Sequence, residues 1–192
     1  MTSDEALMLE FQRGSRSALE ELFARYRQPL YGFFRRRLDG KERADDLTQE
    51  TFLAVMRAAV RYEPRALVKT YLYGIALKLL AAERRKQFRD APAELLREPA
   101  TNEDTDAALW VKQALAKLDI SERQVLMLRE YEQLSYAEIA ELLHIPVNTV
   151  RSKLFRSRLA LKSHLTPECH PESNASLESA ATISLSKSEV RK

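Results

Sequence analysis

Apolar positions recur along this chain at helical spacing. Leu19, Leu22, Phe23 and Tyr26 fall at i, i+3, i+4 and i+7, and Leu72, Ile75 and Leu79 repeat the rhythm. Each set predicts one apolar stripe on an amphipathic helix that faces a core. No segment shows a convincing strand pattern, in which apolar and polar residues alternate. Pro29, Pro64, Pro92, Pro99, Pro146, Pro167 and Pro171 divide the chain into breaker-free helical runs. Ser121 with Gln124 and Ser135 with Glu138 each fit a capping box, in which a hydroxyl and the side chain three residues on satisfy free backbone N–H groups at a helix start. The expected fold class is all-α.

The pattern fails between residues 91 and 106. Two prolines and the run Thr101-Asn102-Glu103-Asp104-Thr105-Asp106 leave too little apolar content to pack, so this stretch reads as a flexible acidic linker. After Leu165 the chain turns serine-rich and has no aromatic residue, which reads as a disordered tail over 166–192. Two small helical domains are therefore expected, 1–90 and 107–165. Charge follows the same divisions. The overall net of +3 resolves into +5 for residues 1–90, −3 for 91–120, +2 for 121–165 and −1 for the remainder. Two basic blocks flank an acidic one, a distribution that favours a nucleic-acid partner more than the total does.

Several chemistries are excluded or find no support. The glycines are Gly14, Gly32, Gly40 and Gly74, so no glycine-rich phosphate loop can lie beyond Gly74. Cys169 has no internal disulfide partner, and neither a CxxC pair nor an HExxH run is present to hold zinc. No metal, cofactor or catalytic residue is expected; His164, Cys169 and His170 match no zinc spacing. The acidic start Met1-Thr2-Ser3-Asp4-Glu5 lacks the basic region of a signal peptide, and no apolar run approaches the ~18 residues of a membrane span. A cytoplasmic protein without membrane insertion, monomeric when free, is expected.

The second domain carries the clearest motif. Ser135 to Leu143 forms a short amphipathic helix with Ile139, Leu142 and Leu143 on one side, and His144-Ile145-Pro146 interrupts it. A basic helix then begins near Val147, with Val150, Leu154 and Phe155 on its inner face. Helix, three-residue break and basic helix is the layout of a helix-turn-helix. The usual turn glycine is missing, which leaves the corner to His144 or its neighbours. Asn148, Arg151, Ser152 and Lys153 could then reach base edges, while Arg156 and Arg158 suit phosphates. Ser135, Tyr136 and Thr149 complete the candidate DNA-binding set. From periodicity alone, a helical hairpin with a solvated basic face remains the alternative.

Two features of the first domain, Asp45-Asp46-Leu47-Thr48-Gln49-Glu50-Thr51-Phe52-Leu53 and Tyr71-Leu72-Tyr73-Gly74-Ile75-Ala76 followed by a helix ending in Glu83-Arg84-Arg85-Lys86, precede that motif. In this combination the sequence resembles the extracytoplasmic-function (ECF) sigma factors, small sigma-70-type initiation subunits of bacterial RNA polymerase. The resemblance covers roughly residues 5 to 165 and both domains in order. It implies a dissociable specificity subunit that is not an enzyme. Its partners would be core polymerase, promoter DNA and a cognate anti-sigma factor.

The resemblance assigns Asp45, Asp46, Leu47, Gln49, Glu50 and Phe52 to docking on the coiled coil of the largest polymerase subunit. Taken without it, the same residues read as an ordinary acidic helix start. It assigns Tyr62, Arg65, Lys69, Tyr71, Tyr73, Lys78, Arg84, Arg85 and Lys86 to melting and reading the minus-10 element, where aromatic faces hold unpaired bases and cations hold phosphates. Some of these tyrosines must instead be core, since they cannot all face one way. The family usually carries Trp where Tyr71 stands and Arg-Asn where Leu77-Lys78 stands, which implies altered minus-10 specificity. Asn148 stands where Gly is common. The rival readings are a helix-turn-helix regulator acting without polymerase, and a degenerate sigma factor that titrates an anti-sigma factor.

Overall fold

The structure is a computed structural model and describes residues 2–38, 40–64, 67–90 and 106–166. Arg65, most of the expected linker and nearly all of the expected tail, including Cys169 and His170, lie outside the described residues. The described residues form helices and connecting turns, without a strand.

The first domain contains α1 (Asp4–Gln12), α2 (Arg16–Arg35), α3 (Lys41–Ala58), a 3₁₀ turn at Ala59–Arg61 and α4 (Val68–Asp90). Ser3 and Ser15 cap α1 and α2 by accepting the N–H groups of Ala6 and Ala18, satisfying donors that a helix start leaves free. Leu7, Met8, Leu22, Leu30, Phe33, Phe34, Leu47, Val55 and Leu72 close a core between the four helices. Each contributes roughly 1.5–3 kcal/mol by leaving water. Gln12 donates from Nε2 to the carbonyls of Ala59 (2.5 Å) and Tyr62 (2.8 Å), tying α1 to the turn that leads into α4.

Pro29 is the first correction to the sequence reading. It does not end a helix: α2 runs through it to Arg35. Proline removes one hydrogen bond and crowds the preceding turn, but Leu22, Tyr26, Leu30, Phe33 and Phe34 are buried on both sides of it. Continuous burial of that stripe outweighs the local cost. Within the same stripe, Phe23 does not join the core and is 37% exposed.

The second domain contains α5 (Asp106–Ala116), α6 (Ile120–Glu130), α7 (Tyr136–Leu143) and α8 (Val147–Leu165). Its core gathers Leu118, Val125, Leu126, Leu128, Leu134, Ile139, Val150 and Leu154. The Ser135–Glu138 capping box forms in full: Ser135 Oγ accepts the Glu138 N–H at 3.2 Å, and Glu138 Oε2 accepts the Ser135 N–H at 2.7 Å. The expected box at Ser121 does not. Asp119 caps α6 instead, accepting the N–H groups of Ser121 (2.9 Å) and Glu122 (3.2 Å), and the Ser121 hydroxyl donates to the same carboxylate. A carboxylate two residues earlier is the stronger acceptor, so the helix starts there. The two domains meet where α4 packs on α7.

One ion pair braces α3 on α4. Arg43 donates to Glu83 at 2.5 Å, and this guanidinium holds the mostly buried Glu83 carboxyl below its usual range. A depressed carboxyl pKa contributes stability above the unfolded value of 4.5, lost as pH falls through the folded value. Glu83→Gln is expected to cost about 1–2 kcal/mol near pH 7. In urea denaturation, the gap between variant and wild type should close as pH is lowered from 5 toward 3.

Candidate nucleic-acid and docking surfaces

The start of α8 depends on the corner before it. His144 adopts left-handed backbone geometry, φ 53° and ψ 45°, and ends α7. The Ile145 N–H turns back to the Ala140 carbonyl at 3.0 Å, the long-range bond of a Schellman-type helix end. His144 thus does the work usually given to glycine. His144→Gly is expected to be neutral or to stabilise by up to ~1 kcal/mol, whereas His144→Val should destabilise by ~1–2 kcal/mol; thermal denaturation distinguishes them. Pro146 then caps α8 from outside, its fixed φ of −60° leading into the first turn.

Asn148, Arg151 and Ser152 stand exposed at i, i+3 and i+4 on one face of the first turns of α8. Arg151 Nη1 lies 3.4 Å from Asn148 Oδ1, so the two are aligned side by side. The other cations of the set are held within the protein: Lys153 bonds the Ser121 hydroxyl, Arg156 donates to Glu122 at 2.6 Å and Arg158 to Glu130 at 2.7 Å. Glu130 holds the Arg158 guanidinium above its usual pKa. Thr149 is half-buried, Ser135 is spent on the capping box, and Arg129 lies 5.4 Å over the Tyr136 ring.

Phe155 corrects the sequence reading. Placed there on the inner face, it is 70% exposed, one turn beyond Arg151, and Leu159 follows it outward. With Tyr136 and Leu154 they line a groove of about 420 Å³ edged by Arg151, Arg158 and Lys162. Helical spacing locates Phe155 midway between the buried Val150–Leu154 line and the solvent face, so periodicity alone could not assign it.

On α4 and just after the 3₁₀ turn that precedes it, the assigned residues separate by depth. Tyr62 is buried and packs edge-on to Tyr71, centroids 5.3 Å apart, while Tyr71 is half-buried. Burial pushes both hydroxyl pKa values up. Tyr73 is fully buried beside Phe33, its hydroxyl 3.4 Å from Glu132 of the second domain. Burial, then the Glu132 charge, raises its pKa further. Lys69 donates to the Gln133 carbonyl at 3.2 Å. Lys78, Arg84, Arg85 and Lys86 are exposed along the rest of the helix.

The acidic face of α3 is exposed and pre-ordered. Asp46, Gln49 and Glu50 face solvent and Asp45 is half-buried, whereas Leu47 and Phe52 lie beneath in the core. Gln49 donates to Asp45 at 2.7 Å, Arg27 approaches Asp45 at 3.9 Å, and Arg43 approaches Asp46 and Glu50 at 3.6 and 3.3 Å. Beside this face runs an apolar groove of about 470 Å³ lined by Leu19, Phe23, Phe52, Leu53 and Met56. Leu53 ends the segment that the resemblance assigns to docking and Met56 lies one turn beyond it, while Leu19 and Phe23, expected in the core, line the groove instead. The signal available was two apolar residues continuing outward past the buried line of α3. Among the described residues, no His, Cys, Asp and Glu cluster could hold a metal ion, and no helix is long and apolar enough to cross a membrane.

Comparison with known proteins places the chain in a family. A family model described as Sigma-70 region 2 matches residues 22–89, and one described as Sigma-70, region 4 matches residues 108–161. The chain is 31% identical to the RNA polymerase sigma-H factor of Pseudomonas aeruginosa, over 85% of this chain and 94% of that protein. It is 29% identical to the ECF RNA polymerase sigma-E factor of Haemophilus influenzae, over 86% and 96% respectively. Among solved structures, CnrH in complex with the cytosolic domain of CnrY is similar with a TM-score of 0.68 and 26% identity, over 85% of this chain and 97% of that one. The chain belongs to the extracytoplasmic-function subfamily of sigma-70-type RNA polymerase sigma factors.

Proposed function

We propose that the chain joins core RNA polymerase and directs promoter-specific initiation, reading the duplex minus-35 element with α8 and the melted minus-10 element with α4. The observation that carries this reading is the exposed Asn148, Arg151 and Ser152 triplet at the start of α8, set by a tightly capped turn. Arg pairs bidentately with guanine and Asn with adenine in the major groove, and this end of a recognition helix is the one that enters it. Arg156 and Arg158, already paired within the domain, would trade those carboxylates for phosphates.

On the first domain, the acidic face and apolar groove of α3 dock the polymerase coiled coil. Tyr71 is the tyrosine best placed to stack on an unpaired base, and Lys78, Arg84, Arg85 and Lys86 line a path for the backbone. Lys78 only donates hydrogen bonds, whereas the usual Asn both donates and accepts, so minus-10 specificity differs from the family norm. The linker accompanies the strands through the polymerase channel. A cognate anti-sigma factor covers the docking surfaces when the protein is idle; the structure of CnrH in complex with the cytosolic domain of CnrY, a similar chain bound by another protein, supports a protein partner. Chemistry stays with the polymerase, and strand opening draws on binding energy.

Mixing the purified chain with core polymerase and passing it over a sizing column should yield a complex that retards a promoter fragment. The chain alone retarding that fragment equally well, with no complex formed, would favour a helix-turn-helix regulator instead.

A further inference from the structure

The cations on the middle turns of α8 that suit phosphates are each answered by a side chain at one end of α6, which packs against α8. Arg156 donates from Nε to Glu122 Oε1 at 2.6 Å, and Arg158 from Nη2 to Glu130 Oε1 at 2.7 Å. Lys153 bonds the Ser121 hydroxyl, which in turn donates to Asp119 at 2.5 Å. The Glu122 side chain is 17% exposed and that of Arg156 is 56% exposed, so the acid lies in against the domain and the guanidinium reaches back to it. Helical geometry gives the two ion pairs a shared position. At about 100° per residue, Arg156 and Arg158 stand roughly 80° to either side of the line through Asn148, with Arg151 and Ser152 between them. Both flanks of the base-reading face therefore carry an arginine, and each arginine carries a glutamate. Arg151, in the middle, lies beside Asn148 instead of a carboxylate.

We propose that Glu122 and Glu130 stand in for DNA phosphates in the free chain and hold down the affinity of α8 for DNA of any sequence. This rests on the minus-35 reading. Affinity that ignores sequence comes from cations that neutralise phosphates and release counterions, each adding roughly 0.9 to the slope of log affinity against log salt. An arginine already neutralised by a carboxylate gains little by moving to a phosphate, because one ion pair replaces another. The two flanking arginines are restrained in this way, while Arg151 stays available to base edges. Such a division suits a dissociable subunit. A genome presents a large excess of non-specific sites, and a chain held on them is withdrawn from the polymerase. Arg158 and Glu130 are each about half exposed, and pairs of that kind contribute little to folding, so their effect falls on binding.

The test uses the full-length chain with Glu122→Gln or Glu130→Gln, changes that remove the charge and keep the size of the side chain. Each variant is titrated against duplex DNA of random sequence by fluorescence anisotropy across a salt series. Each is expected to bind roughly 5- to 10-fold more tightly than wild type at about 0.1 M salt, with a salt slope steeper by about 1. A role in holding the fold, or in steering the arginines onto phosphate, predicts no gain, so unchanged or weaker binding would overturn the proposal. Repeating Glu122→Gln with Arg156→Gln already in place separates pairing from added charge. There the gain should fall below about 2-fold; a gain as large as in the wild-type background would also overturn it. Selection from a random duplex pool by the wild type tests the underlying reading separately. Variants that bind random DNA more tightly, with no sequence enriched by the wild type, would support the restraint by Glu122 and Glu130 and count against minus-35 recognition.

Discussion

Reversing Asp45 and Asp46 to Lys is expected to abolish capture of core polymerase, with affinity falling at least ~100-fold, about 2.7 kcal/mol. On α3, where Leu47 and Phe52 are buried, Asp46 is exposed and Asp45 half-buried. Their own ion pairs, with Arg27 at 3.9 Å and Arg43 at 3.6 Å, are exposed and long. Losing such pairs costs well under ~1 kcal/mol of stability, so the variant should melt close to wild type while failing to bind. A partner that complements this face is basic there, and two lysines would turn attraction into repulsion. Leu53→Asp provides an independent check in the adjoining groove, where it places a charge among Phe23, Phe52 and Met56. Pull-down of core polymerase by each variant is the measurement; unchanged capture by the double reversal would remove the docking assignment.

Arg151→Ala is expected to weaken binding to the correct minus-35 duplex by about 1–3 kcal/mol, roughly 5- to 150-fold, and to relax discrimination at one base position. Arg151 is exposed, has Asn148 as its described hydrogen-bond neighbour, and lies on the leading turns of α8. The same substitution at Arg156 should lower affinity more evenly across sequences, because a phosphate contact carries no base information. Titrating both variants against matched and scrambled duplexes at fixed salt separates the roles. An equal loss on every sequence for Arg151→Ala would move it to the backbone.

Much of the fold is legible in the chain because its information is local. The Ser135–Glu138 box, the break at His144 and the helical rhythm all lie within a few residues of the structure they specify. Pro29 misleads because its effect is also local, whereas the stripe that carries α2 through it is held by three other helices. Leu19, Phe23, Phe155 and Leu159 were harder: periodicity marks a side of a helix but not what covers it, and these residues sit at the margins of their apolar stripes. They now line the two grooves beside the acidic face of α3 and the start of α8.

The candidate site shows the same division. Asp46, Gln49, Glu50, Asn148, Arg151 and Ser152 are exposed, as their spacing on amphipathic helices implies. Tyr62 and Tyr73 are both in the core, and the contact of the Tyr73 hydroxyl with a carboxylate 59 residues away is one that no spacing could reveal. Glu132 itself carries no motif; only the approach of Arg36 and Arg37, about a hundred residues earlier, gives it partners.

Run-off transcription with purified core polymerase over a fragmented genomic library tests the central claim most directly. Adding the chain should produce a limited set of transcripts, each starting downstream of a shared pair of sequence elements and each lost with Asp45 and Asp46 reversed. The absence of any promoter-specific transcript, with core polymerase active on a control template, would contradict it.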